Sequence, residues 1–349
     1  MTSTARKTRV LVVGAGRRAK ETLLPAVYCS SDHIDLVGVC ARSRRVIELL
    51  GGRFVTTTRL VSDIDMSQVD AVVVAVSIDQ VPNLLAELSR RVARPTLMLD
   101  TPGLAPQHLG AAGLFKRFPA VLACEDTFAL PPYVLARRLL NEGAIGRLRK
   151  VYLVHSGYRH HAIAGLKQLT GAQHPKRVSI TRWSPWCADI HVALPGGVRA
   201  QIVEPRRYDS GATMIVGTRG FITDYPIDHP KVIRLGYLME DGRYLGLTLG
   251  DDPVARTDLD EAFAKGLEGA PLEAPSLMNQ MKIRGFMELL GGLADPASPF
   301  RYPAVEAIAD DLVIRFAERS PFAVPGASSL LRPAARLTAP FMRSSGDEV

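Results

Sequence analysis

The stretch TRVLVVGAGRRAKETL, residues 8–23, decides how this chain is read. Thr8 to Val13 form a short run rich in β-branched residues. Gly14-Ala15-Gly16-Arg17-Arg18-Ala19 follow at once, and the residues after Ala19 take helical spacing. A strand entering a glycine turn that opens a helix is the context in which such a motif binds a dinucleotide. Gly14 permits the tight turn, and Gly16 lets a pyrophosphate approach the backbone, where N-terminal N–H groups can hold it. Ala19 fits the small position needed for close helix–strand packing. Arg17 and Arg18 lie in the same turn and join the expected cofactor-binding set.

Outward from this turn the chain alternates strand and helix. IDLVGVCAR, RFVTTT, DAVVVAVS, PTLMLDTP and AVLACEDTF read as strands. AKETLLPAVYCSS, RRVIELLGGR, VPNLLAELSRRV and APQHLGAAGLFKRF read as the helices between them. Near-continuous apolar strands separated by helices indicate a parallel sheet covered on both faces, and right-handed crossovers make it doubly wound. Residues 1–125 are therefore expected to form a dinucleotide-binding Rossmann domain. Ser77, Asp100 and Pro102 fall at the carboxyl ends of its strands and are added to the cofactor set.

From PPYVLARRLLNEGAIG, a helix with Pro at its start and Gly at its end, the pattern changes. Segments between 149 and 249 alternate in twos and are broken by Pro-Gly-Gly and Asp-Gly turns, the signature of a mostly antiparallel sheet. Residues 258–295 and 303–319 are helical in pattern. Residues 126–349 thus read as an α+β domain with an open, mostly antiparallel sheet and a C-terminal arm. The Pro-, Ser- and Ala-rich end of the chain leaves an ordered arm and a disordered tail both open.

Composition agrees with a globular α/β protein. The chain has 349 residues, 47% of them hydrophobic and 22% charged, enough for two domains with a substantial core. Its 4 cysteines, Cys29, Cys40, Cys124 and Cys187, have no paired or metal-ligand spacing and read as reduced residues of a cytoplasmic protein. No metal is expected. MTSTARKTR at the start lacks the apolar core of a secretion signal, and no run reaches the ~18–20 apolar residues of a membrane span. The net charge of +8 is scattered rather than gathered with aromatic residues, which argues against nucleic acid and favours anionic small molecules.

About twenty residues past the glycine turn, an NAD-binding protein places an acid against the ribose. Here stand Cys40-Ala41-Arg42-Ser43-Arg44-Arg45. Arginine forks match a phosphate bidentately. Arg42, Ser43 and Arg44 therefore favour NADP(H) over NAD(H), which stays as the alternative.

The glycine turn, Asp100-Thr101-Pro102, LLNEGAIGRLRKV and IVGTRGFI, in this order, resemble the glucose–fructose oxidoreductase / inositol dehydrogenase (Gfo/Idh/MocA-like) family over roughly residues 8–320. The resemblance implies a Rossmann domain joined to an α/β domain whose open sheet pairs with another subunit, as a homodimer or a dimer of dimers. It also implies hydride transfer between a nicotinamide and a small molecule in the cleft between domains. The family's lysine, which hydrogen-bonds the reacting oxygen, is Thr101 here. Its site histidine is matched by His161 in HAIAGLKQLTG, residues 161–171, but Gly157 and Ala164 stand where the family has aspartates. Val81 stands for its usual strand-end histidine.

Reduction of a carbonyl needs a proton donor near the developing alkoxide. His161 titrates near neutrality and is the natural candidate. Tyr158 and His160 lie in the same strand-to-helix turn, and Thr101 can offer a hydroxyl. Glu125 and Asp126 could reach the nicotinamide or cap the next helix. Without a lysine, an already protonated imine suits the site better than a sugar alcohol. Two readings remain: an NADP(H)-dependent oxidoreductase acting on a carbonyl or imine, and a silent NADP(H)- and ligand-binding sensor or accessory protein.

Overall fold

A computed structural model describes residues 6–49, 53–58, 61–171, 174–205, 211–268, 276–320 and 324–325. The first sheet holds β1 (Thr8–Val13), β2 (Ile34–Cys40), β3 (Val46–Leu49), β4 (Arg53–Thr58), β5 (Ala71–Val74), β6 (Thr96–Asp100) and β7 (Val121–Cys124) in the order β3-β4-β2-β1-β5-β6-β7. All neighbours are parallel except β3 and β4. Val10 to Val12 and Val72 to Val74 are at most 1% exposed, as strands covered on both faces must be. Helix α1 (Leu24–Cys29), entered through a π turn over Ala19–Leu23, and α2 (Val81–Ser89) lie on this sheet.

Two expected helices are not α-helices. RRVIELLGGR gives strand β3, in which Ile47 and Leu49 are buried while Val46 and Glu48 are exposed. Val-Ile followed by Leu satisfies a period of two as well as one of 3.6, and Gly51-Gly52 between two such runs is a hairpin signal. APQHLGAAGLFKRF winds instead as 3-10 turns over Pro106–Arg117. Gly110 and Gly113 lower the helical preference of that segment.

Helix α3 (Pro131–Asn141) leads into the second sheet through β8 (Leu148–Val154) and α4 (Arg159–Thr170). The remaining strands are β9 (Arg177–Arg182), β10 (Ala188–Ala193), β11 (Arg199–Glu204), β12 (Ala212–Gly217), β13 (Phe221–Thr223), β14 (Val232–Glu240), β15 (Arg243–Leu249), β16 (Asp252–Pro253) and β17 (Val324–Pro325). Their order is β16-β15-β14-β13-β12-β8-β11-β10-β9-β17, antiparallel except at β8/β11 and β13/β14. One face is covered by helices, so Val151 and Leu153 are fully buried. The other is open: Lys150, Tyr152 and Val154 stand in register with Val216, Met214 and Ala212. Of the expected C-terminal arm, Val324–Pro325 add to the edge at β9, and residues 326–349 lie outside the described residues.

Helices α5 (Asp258–Gly266), α6 (Leu277–Ala294) and α7 (Ala304–Arg319) complete the chain. α6 packs on the first helical segment, where Leu23, Leu24 and Val27 share one core with Met281, Ile283 and Phe286. The Thr22 hydroxyl donates to Asn279 Oδ1 at 3.1 Å, and Asn279 Nδ2 donates to the Glu21 carbonyl at 3.0 Å. α7 packs on both β7 and α4, so the two sheets meet along these helices.

Candidate active site

The glycine turn sits at the carboxyl end of β1. Gly14 has φ +120°, and a Cβ there would lie 2.1 Å from the Ala75 carbonyl oxygen, so no other residue fits. Gly16 is the opposite case: a Cβ there would meet nothing within 4 Å, leaving room against the backbone where a pyrophosphate could lie. The Gly14 N–H donates to the Cys40 carbonyl at 2.8 Å, which brings the end of β2 beside the turn. The buried Thr57 hydroxyl shapes the next segment, donating to the Ser43 carbonyl at 2.8 Å while Arg45 N–H donates back to it at 3.0 Å. Arg45 then reaches the Ala15 carbonyl at 2.8 Å. Arg42, Ser43 and Arg44 are exposed alongside, and Ser77 is exposed at the end of β5. Arg17 pairs with Glu21 at 2.9 Å on the helix surface.

Arg18 takes another course. Its side chain runs inward to the ends of β6 and β7, with Nε 3.3 Å from Asp100 Oδ1, Nη1 2.8 Å from Asp126 Oδ2 and Nη2 3.4 Å from the Cys124 carbonyl. Arg18 and Asp100, both expected beside the cofactor, are thus bound to each other. Burial pushes the Asp126 carboxyl up, but the Arg18 charge outweighs it and leaves the group below its ordinary value. At Asp100 burial wins over Arg18, and the carboxyl lies above its ordinary value. Thr101 and Pro102 follow half-buried across a cis peptide. Among the described residues Thr101 makes no side-chain hydrogen bond.

The expected proton donor has a partner. His161, in the first turn of α4, donates from Nδ1 to Glu125, whose two carboxylate oxygens lie 2.9 and 3.0 Å away. Glu125 stands directly after β7, is 1% exposed and also accepts the Thr127 N–H at 3.2 Å. Burial works against charge on His161, but the charge and hydrogen bond of Glu125 more than offset it, and the imidazole holds its proton above the ordinary histidine range. His160 is the reverse. Its ring lies 4.1 Å from that of His161, and burial together with the neighbouring positive charges pushes it well below the ordinary range. Two adjacent histidines are thus driven apart, His161 toward holding its proton and His160 toward losing it, which sets His161 up as the acid of the pair.

The turn that presents them is held from the second sheet. His155 Nδ1 donates to the Pro205 carbonyl at 2.6 Å, Ser156 to the Ala212 carbonyl at 2.9 Å, and Arg159 N–H to Glu204 at 2.9 Å. His155 and Arg159 have φ of 54° and 43°, left-handed values that side chains other than glycine adopt at a cost. Tyr158, 41% exposed, lies stacked 6.3 Å from the His161 ring, with the Arg159 guanidinium 5.5 Å from its own. Where the resemblance led to aspartates, packing is too tight or too apolar. A Cβ at Gly157 would lie 2.8 Å from the Ala162 Cβ, and Ala164 is buried with Ala123, Tyr302 and Ala307. Val81 is likewise a core residue, with Leu85 and Leu99.

The fold thus gathers His161, Arg18 and Asp100 with Glu125 and Asp126, and sets Tyr158 beside them. The two acids were legible only as strand-end carboxylates. Glu125, His160 and His161 also bring one ligand-type atom each within 4.8 Å of one another, a trio no sequence spacing announced. Of these three residues, His161 and Glu125 are already joined by a hydrogen bond.

No protein-family model and no curated protein sequence matches the chain. Solved structures do. An oxidoreductase from Agrobacterium radiobacter in complex with NAD+, L-tartaric acid and magnesium superposes with TM-score 0.62 at 12% identity, over 93% of this chain and 100% of that one. An aldose–aldose oxidoreductase from Caulobacter crescentus complexed with glycerol gives 0.57 at 16% identity, over 92% and 100%. A myo-inositol dehydrogenase from Corynebacterium glutamicum gives 0.57 at 11% identity, over 92% and 99%. At such identities the likeness is one of fold: the chain shares the overall architecture of these oxidoreductase and dehydrogenase structures.

Proposed function

We propose that this protein is an NADP(H)-dependent oxidoreductase that moves a hydride between the nicotinamide and a carbonyl or imine of a small metabolite. The observation that carries the reading is the Glu125–His161 pair: a buried carboxylate after the last parallel strand holds a partly exposed imidazole whose proton it helps retain. Ligands of doubly wound sheets bind at those strand ends. The structural neighbours, solved as dehydrogenases and oxidoreductases, support the same chemistry.

The glycine turn would hold the pyrophosphate over Gly16, and Arg42, Ser43 and Arg44 would take a 2′-phosphate. When bound, the nicotinamide supplies the hydride. His161 serves as the acid: Nδ1–H stays on Glu125, which fixes the ring, and the Nε2 proton passes to the substrate oxygen or nitrogen. Afterwards the carboxylate favours reprotonation. Tyr158, beside His161 and exposed, would border the substrate. The open face of the second sheet, with Tyr152, Val154, Met214 and Val216, is the surface we assign to a second copy of the chain, and light scattering reads that stoichiometry.

Fluorescence titration with NADPH and NADH, on wild type and on Arg42→Ala/Arg44→Ala, tests the cofactor. Losing one bidentate phosphate contact weakens NADPH binding by about tenfold to a hundredfold; NADH binding should hardly change. NADP+-coupled oxidation of D-glucose and myo-inositol, and NADPH-coupled reduction of glyoxylate and 1-pyrroline, then sample the substrate classes. A folded protein that binds neither nucleotide refutes the reading. Tight NADPH binding without turnover of any probe favours the silent ligand-binding protein, for which Thr101, Gly157 and Ala164 speak.

A further inference from the structure

The cleft needs a fixed positive charge beyond the histidine. As a hydride adds to a carbonyl carbon, the π pair moves onto oxygen, and the growing negative charge must be met before the proton from His161 arrives. Preorganised donors aimed at that oxygen are usually the largest single contribution to such a step. Thr101 offers at most one neutral hydroxyl on a short side chain.

Arg18 has what the step lacks. Its guanidinium is fixed by three different acceptors: Asp100 at the end of β6, Asp126 after β7, and the Cys124 carbonyl. Each is contacted by a different nitrogen. An arginine carries five N–H donors. With three engaged, one N–H on each terminal nitrogen is left over. The side chain remains 25% exposed, although Asp126, one of its two acids, is only 4% exposed. It sits one residue from the His161 partner, since Asp126 follows Glu125 directly.

We propose that Arg18 is a catalytic residue: its two spare N–H groups hold the reacting oxygen while His161 protonates it. The proposal rests on the oxidoreductase reading and deepens it. Arg18 transfers no proton and changes no bond order; the hydride goes to carbon, the electron pair to oxygen and the proton from His161 to oxygen. The glycine turn then has two tasks. Its backbone receives the pyrophosphate, and its arginine reaches past the cofactor to the substrate.

Oxalate, a planar anion that a guanidinium fork can grip, serves as the probe. Calorimetry of oxalate into NADP+-saturated protein is run on wild type, Arg18→Met and Arg18→Lys, with NADPH affinity measured on each by fluorescence. Oxalate should bind the wild-type complex, and Arg18→Met should weaken it by about thirtyfold or more, the scale of a lost charged hydrogen bond. Arg18→Lys keeps the charge that Asp126 and Asp100 require, so it should stay folded if the methionine variant does not. It should lose about tenfold, because a point charge cannot replace the fork. NADPH affinity should stay within about threefold throughout, since the pyrophosphate is met by backbone N–H groups. The proposal is overturned if oxalate affinity in both variants is unchanged from wild type, or if NADPH affinity falls tenfold while oxalate binding holds, which makes Arg18 a cofactor residue. Wild type that binds NADPH but no oxalate overturns it too and leaves the redox reading standing. Wild type that binds no nucleotide overturns both.

Discussion

Helix α4 carries two buried ionic clusters, and they differ in one respect. Lys167, two turns from the helix start, lies 2.7 Å from both Asp310 and Glu306, with the Tyr302 hydroxyl at 3.2 Å. Tyr302 in turn donates to Asp310. Lys167 is 4% and Asp310 1% exposed, so this cluster is closed. Burial pushes the Asp310 carboxyl up to about 6 even beside the lysine. At the helix start, His161 and Arg18 are equally well anchored on Glu125, Asp126 and Asp100, yet each keeps about a quarter of its side chain exposed and a donor unspent. A cluster closed on all sides is structure. One anchored from behind and open in front is equipped to act on something else.

The comparison predicts opposite failures. His161→Asn, at the open cluster, should lower kcat by about a hundredfold to ten-thousandfold, the usual worth of a general acid, with a smaller stability loss than at the closed cluster, because the asparagine amide can still donate to Glu125. Lys167→Met, at the closed cluster, should cost about 3–5 kcal/mol of stability by leaving buried acids without their cation. A chemical denaturation curve measures this, and the folded fraction should keep its kcat. If Lys167→Met instead spares stability and abolishes turnover, the distinction fails.

A smaller effect is expected at Glu125→Gln. The amide still orients the ring but no longer favours its charge, and partners behind a functional histidine are worth about tenfold to a hundredfold. The pH profile sharpens the same point. The folded value of His161 is raised, so its proton is kept to higher pH than in a free imidazole and lost as pH rises through that value. Reduction should therefore decline on the alkaline side, with a midpoint above the ordinary value of about 6.5. In Glu125→Gln that limb should move to lower pH, and in His161→Asn it should vanish. Thr101→Val should change kcat least, by about threefold or less, the scale of one weak neutral hydrogen bond. A hundredfold loss there would give the proton or the oxygen to Thr101.

The sequence was most legible where one local signal governs. The apolar strands and the glycine turn needed no tertiary knowledge, because burial on both faces and a positive φ leave few residue choices. It misled at RRVIELLGGR, where helix and strand periods coincide over four residues. The candidate site was half legible. His161 stood out by register with a family motif, but its charge depends on Glu125, 36 positions earlier. Arg18 read as a cofactor residue because its neighbours in sequence are. Only the turn of the first helix aims it at residues 82 and 108 positions away. Gly157 looked like a lost aspartate; the packing of Ala162 and Leu153 against it leaves no room for any side chain.

The clasp between Thr22 and Asn279 spans 257 positions. At ribosomal speeds of about 5–20 residues per second, residue 279 emerges roughly 13–50 s after residue 22. Through that interval the side of the first helical segment destined for α6, with Leu23, Leu24 and Val27, has no cover. The glycine turn is thus made long before the helix that covers the segment following it, and packing of that layer waits for the far end of the chain.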